Sequence, residues 1–261
     1  MGTPDIKKIK SFFETYYHSF KGLDENQEKN FLIKKEHSYR VATLMESFAS
    51  WMGMAEEFIA LSYITGLLHD LGRFPQFIEY STFNDDVSAD HAALSAEVIN
   101  NEGLNSLLEG ESFEMVSSAI FLHNKYEVSK NLPQQTVTLA KLLRDADKLD
   151  ILEVICTYYE NRDREPNHTL TWEMPDSYKI SDEVARAIGT KKQIPKAIIK
   201  NKLDIKVYQM SWIYDLNYKP AFCILASKRY IERIYDTLPK SEKIIEFYRG
   251  IKIYIENQVN S

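Results

Sequence analysis

Four of the six histidines in this chain, His37, His69, His91 and His123, occur in order with two aspartates, Asp70 and Asp147, at positions that point inward. Taking an imidazole or a carboxylate out of water without a partner costs several kcal/mol. One inward histidine is ordinarily a hydrogen-bonded core residue. Four of them with inward carboxylates are hard to satisfy except around cations. Imidazole and carboxylate suit iron, manganese, zinc, cobalt or nickel, and the mixture does not choose among them. If divalent ions gather these groups, the imidazoles must meet within about 6 Å of one another.

The elements that must position them are helices. From His37 onward, Val41, Leu44, Met45, Phe48 and Met52 recur at helical spacing, which sets His37 on a buried stripe. Residues Ala55 to His69 are apolar nearly all round and belong at a domain centre, with the His69-Asp70 doublet at the end and Gly72 expected to supply a left-handed turn. Phe74 to Ala89 reads as an aromatic-bearing loop with Pro75 and an Asn84-Asp85-Asp86 turn, the kind that forms lids and binding loops. Ser88 or Asp90 is placed to cap the helix in which His91 precedes Leu94, Ser95, Val98 and Ile99. Val116, Ala119 and Ile120 share a helix face with His123.

A long helix follows from Thr136 to about Glu160. Projected at 100° per residue, Lys141, Arg144, Asp145 and Lys148 share one polar side, so Asp145 is expected to be a solvated ion-pair residue. Asp147 and Asp150 fall in the arc of Leu139, Ala140, Leu143, Ala146 and Ile151 and need partners inside. An opening helix spans Asp5 to about Lys21. Further helices are expected near Asp182 to Ile188, Ala197 to Leu216, Pro220 to Leu238 and Ser241 to Gln258. Strand signals are nearly absent, so the fold class is all-α.

The ordered set resembles the HD-domain superfamily of metal-dependent phosphohydrolases, named for the doublet matched here by His69-Asp70. His37-Ser38-Tyr39-Arg40-Val41-Ala42 resembles its first histidine motif, and Ala146-Asp147-Lys148-Leu149-Asp150 its closing motif, whose first aspartate is the ligand. The resemblance covers roughly Lys35 to Ile155 and implies an HD helical bundle over residues 1–160, with 161–261 as a helical extension packed on it. Histidines placed like His91 and His123 imply two metal ions rather than one. His37, His69, Asp70 and Asp147 would then serve the first, and Asp70, His91 and His123 the second. The segment with Gly72-Arg73-Phe74 and Thr82-Phe83-Asn84-Asp85 resembles a group of poorly characterised bacterial HD proteins.

The implied chemistry is hydrolysis of a phosphate ester, monoester or diester, on a small molecule such as a nucleotide, by hydroxide formed at the metals. Asp70 would bridge the ions and steer the water, and Asp150 would orient a ligand histidine. Arg73 is placed to grip a phosphate through its planar fork, with Lys125 and Lys148 as weaker candidates. Two other readings stay open: a di-iron oxygenase, and a domain that senses a nucleotide without turning it over.

The remaining composition bounds the partners. At 261 residues and 44% hydrophobic content the chain has ample material for a core. Cys156 and Cys223 lack metal-site spacing and are expected as free thiols. A formal charge of −6 argues against an extended nucleic-acid surface. No run is long and apolar enough to cross a bilayer, so a cytoplasmic chain with no membrane partner is expected. Tyr208, Trp212, Tyr214, Tyr218, Lys219, Phe222, Arg229 and Tyr230 are expected chiefly in helix packing or a homodimer contact, with a base-stacking pocket as the rival.

Overall fold

The computed structural model describes residues 3–108, 110–125, 131–161, 172 and 174–260, in which helices and turns are the regular structure and no strand occurs. The fold is all-α. Two compact units divide it, Met1–Asp147 and Lys148–Ser261. The charged run Arg162-Asp163-Arg164-Glu165-Pro166-Asn167, which follows the boundary expected after residue 160, lies outside the described residues.

The first unit opens with α1 (Ile6–Tyr17) and α2 (Glu25–Trp51), the latter started by a capping box between Asp24 and Gln27. Helix α3 (Glu56–Leu68) is buried along nearly its whole length and packs against α2. That pairing is tight because Gly66 lies against the backbone of Ala42, where a Cβ would sit 2.7 Å from the Ala42 Cα. No side chain fits there.

The chain passes almost directly from α3 into α4 (Arg73–Tyr80), so the region read as a loop from Phe74 begins as a helix. Pro75 sits in its first turn, where a missing N–H costs nothing. Phe74 anchors the helix start. Its ring lies 4.9 Å from that of Phe31 and 5.7 to 6.4 Å from those of Phe13, Tyr16, Tyr17 and Phe20. A short 3₁₀ turn, Asp85–Val87, completes the segment.

Gly72 does not make the left-handed turn expected of it, since its φ is −67°. Its glycine is required for another reason. A Cβ there would meet the His91 carbonyl oxygen and Leu94 Cβ at 2.6 Å, with the Ser95 amide nitrogen closer still. The turn after α3 therefore rests directly on α5 (His91–Asn101), which Asp90 caps by accepting from the Ala92 and Ala93 amides. Helix α6 (Gly110–Leu122) packs on α3 and α5.

Helix α7 (Gln134–Glu160) runs from the first unit into the second. The second unit continues with α8 (Asp182–Ala187), α9 (Lys202–Ser211), α10 (Lys219–Ser227), α11 (Tyr230–Asp236) and α12 (Glu242–Asn260). The single helix expected from Pro220 to Leu238 is broken at Arg229, whose φ is +55°. No glycine or proline marks the break. Tyr230, Ile231 and Ile234 are buried on α11, which sets the helix direction after it. Of the aromatic set, Phe222 and Tyr230 are core residues, Tyr208 packs on Trp212 with ring centroids 5.5 Å apart, and Tyr214 on Tyr254 at 5.0 Å. These burials and the two ring contacts are helix packing. Cys156 and Cys223 are free, and burial pushes the Cys156 thiol up to about 12. No helix among the described residues is long and apolar enough to cross a membrane.

Candidate metal centre

Five elements of the first unit bring the six predicted side chains to one place. His37 comes from the middle of α2, the doublet from the turn after α3, His91 from the first position of α5, His123 from just beyond α6, and Asp147 from α7. The four imidazoles and Asp70 are 7% exposed or less. Ring centroids are 5.1 Å apart for His37 and His69, 5.3 Å for His69 and His123, and 4.9 Å for His91 and His123. These separations lie inside the limit that shared cations impose.

Asp70 occupies the middle. Its Oδ2 lies 3.6 Å from Nε2 of both His37 and His69, and its Oδ1 lies 3.7 Å from His91 Nε2. Asp147 Oδ1 lies 3.1 Å from His37 Nε2 and 3.8 Å from His69 Nε2. Three sets of donors each converge within 4.8 Å: His37, His69 and Asp70; His69, His123 and Asp147; and Asp70, His91 and His123.

Hydrogen bonding fixes which ring nitrogen faces the centre. His69 Nδ1 donates to the Gly66 carbonyl at 2.8 Å and His123 Nδ1 to the Ile120 carbonyl at 2.6 Å. His91 Nδ1 donates to Asp85 Oδ2 at 2.5 Å. A neutral imidazole that donates through Nδ1 presents a lone pair at Nε2. The Nε2 atoms of His91 and His123 are 3.0 Å apart, and His69 Nε2 is buried with no hydrogen-bond partner. Two lone pairs at that separation repel unless a cation lies between them. The donor set therefore fits divalent metal ions, with Asp85 holding His91 as carboxylates commonly hold metal-binding histidines.

The protonation states agree. Burial lowers the pKa of His69, and pushes those of His91 and His123 down to about 4. Burial alone would raise Asp70, but the charges of Lys34, His69, Arg73 and His91 hold it well below the ordinary carboxylate range. Asp147 is likewise held low against its burial, by the hydrogen bond and charge of His37. Neutral imidazoles and ionised carboxylates are the forms that bind metal.

A pH dependence follows for the metal-free protein. As pH falls below the ordinary imidazole value of 6.5, the unfolded chain takes up protons that folded His91 and His123 refuse until about 4. Stability present above 6.5 is lost across that window, while the depressed aspartates act only at lower pH. Urea midpoints of chelated protein are expected to fall steadily between pH 7 and pH 5. A flat profile would contradict these environments.

Three cations named from the sequence prove to be engaged. Arg73 Nη1 donates to Asp85 Oδ1 at 2.8 Å and to Gln76 Oε1 and the Phe83 carbonyl at 2.7 Å, while its Nε is buried without a partner 3.6 Å from Asp70 Oδ1. Lys125 pairs with Asp90, which also accepts from Asn124. Within the second unit Lys148 pairs with Asp215 at 2.7 Å. Asp150, also in that unit, is buried. Asp145 is not solvated as expected but wholly buried, beside Arg144, whose Nη1 donates to the carbonyls of His123 and Lys125. A helical wheel separates polar from apolar faces and cannot tell a polar face packed on another helix end from one in water.

Residues missed in the sequence are Lys34, whose Nζ lies 2.8 Å from Asp70 Oδ2, and the pair Gln76 and Asp85, which lock the segment after Arg73. Lys34 precedes His37 by one helical turn, a spacing that could have signalled it.

Fold and site together define an all-α domain built around a histidine–aspartate metal centre. The HD-domain family model matches residues 35–152, and this segment is an HD domain. The domain marks a superfamily of metal-dependent phosphohydrolases. No curated protein and no solved structure gives a significant match to the chain.

Proposed function

We propose that the chain is a two-metal hydrolase that cleaves a phosphate ester of a small molecule, with a nucleotide as the first substrate class to test. The observation that carries this reading is the facing pair of imidazole lone pairs beside the central carboxylate of Asp70. His37, His69, Asp70 and Asp147 would hold one ion, and Asp70, His91 and His123 the other. Bound divalent ions supply Lewis acidity, lowering the pKa of a water towards neutrality and neutralising charge on the phosphoryl group.

The chain's own residues do the rest. Asp70, ionised and fixed between Lys34 and Arg73, is placed to orient the attacking water. Arg73 has its Nη1 tied to Asp85, and the donor it holds buried and unpaired, 3.6 Å from Asp70, is Nε–H. Lys125 pairs with Asp90 and Lys148 with Asp215, which keeps both as the weaker candidates for a phosphate contact.

Protein loaded with manganese or nickel is expected to release phosphate or nucleoside from a panel of nucleotides, or p-nitrophenol from its phosphate esters. Oxygen consumption with a mixed-valent iron signal would overturn the reading in favour of an oxygenase. Tight nucleotide binding with no product after long incubation would overturn it in favour of a sensor.

A further inference from the structure

Lys34 is the strongest feature of the site that no motif accounts for. Its side chain is 17% exposed, and Asp70 Oδ2 is its one hydrogen-bond partner among the described residues. An ammonium carries three N–H donors, so two are left over in a largely buried position and are available to an acceptor. Its Nζ also lies 5.2 Å from the centre of the Phe83 ring, whose other cation contact is Arg73, at 5.8 Å. The two cations thus flank one carboxylate and share one aromatic ring. The face of Phe83 lies within cation–π distance of both. Arg73 Nε adds a third unfilled donor.

Unfilled donors on two largely buried cations favour an anion. The charge it should carry follows from the pocket. The centre gathers two cations, Lys34 and Arg73 beside Asp70, and three carboxylates, Asp70, Asp85 beside Arg73 and Asp147 beside His37, which leaves the chain's own groups one negative charge in excess. Two divalent ions, the loading of the proposed function on which this inference rests, reverse that to three positive charges. A phosphate monoester is close to a dianion at neutral pH, whereas a diester carries a single charge. We infer that Lys34 is a substrate-anchoring residue that binds the terminal phosphate of a phosphomonoester and makes the site a monoesterase rather than a diesterase.

The test compares wild type, Lys34→Ala and Lys34→Arg in the metal-loaded protein. Inorganic phosphate binding is measured by calorimetry, turnover with p-nitrophenyl phosphate and bis(p-nitrophenyl) phosphate, and bound metal by elemental analysis. Wild type is expected to bind phosphate and to prefer the monoester. Lys34→Ala is expected to weaken phosphate binding and raise KM for the monoester by about ten- to a hundredfold, the worth of charge-assisted hydrogen bonds. Metal content should be unchanged or higher, since a competing cation leaves Asp70, and Lys34→Arg should recover part of the affinity. A merely structural lysine would instead lower metal content and leave phosphate affinity per loaded site intact. Phosphate affinity within twofold of wild type in Lys34→Ala, or no phosphate binding by wild type, overturns the proposal. Phosphate binding that depends on Lys34 without turnover of any ester upholds the anchor and overturns the hydrolase reading instead.

Discussion

Asp70→Ala is expected to remove bound metal and abolish turnover, with at least a hundredfold loss of metal affinity. Substitutions of groups that merely support metal ligands cost about ten- to a hundredfold, and Asp70 stands closer in than any support. Its two oxygens face different partners: Oδ2 approaches His37, His69 and Lys34, and Oδ1 approaches His91 and Arg73. Removing it deprives both proposed ion positions of their shared anion and leaves Lys34 and the Arg73 Nε without their carboxylate. The folded protein should survive with a lower melting temperature, because Arg73 keeps Asp85. Elemental analysis and circular dichroism on the same preparation separate loss of metal from loss of fold. His18, on an exposed part of the surface, is the control, and His18→Ala should bind metal as wild type does.

The second large effect concerns a residue without a side chain. Gly72→Ala is expected to destabilise the protein by roughly 1–3 kcal/mol or more, as overpacking against immovable atoms does. The obstructing atoms include the backbone of His91 and Ser95, and the Gly72 amide donates to Ser95 Oγ at 2.8 Å. Relief requires α5 to move away from the turn that carries His69 and Asp70, which also displaces His91. Thermal unfolding should show a melting temperature lower by roughly 5–10 °C, together with weakened metal binding. An unchanged melting temperature would show that the two backbones are not in contact.

Much of the site was legible because its residues are ionisable types on helices of strong apolar period. Burying His37 beside Val41 and Met45 creates a demand for partners that periodicity alone exposes. Asp147 was legible for the same reason. What escaped depends on tertiary approach. Gly72 reads equally well as a helix terminator or as a close contact, and only the position of α5 decides. Asp145 and Arg144 look solvated because sequence does not say which helix end covers them. The segment after Arg73 is rich in turn-forming and aromatic residues, and the helix it forms is set by Phe74 docking among rings of α1, α2 and Phe20.

The most direct test of the central claim is a metal titration of chelated wild-type protein against His69→Ala, read as equivalents bound per chain. Lone pairs gathered by hydrogen bonds to Gly66, Ile120 and Asp85 should bind about two divalent ions in wild type. The variant should hold fewer, and more weakly. Wild type that binds no more metal than His69→Ala would contradict the account.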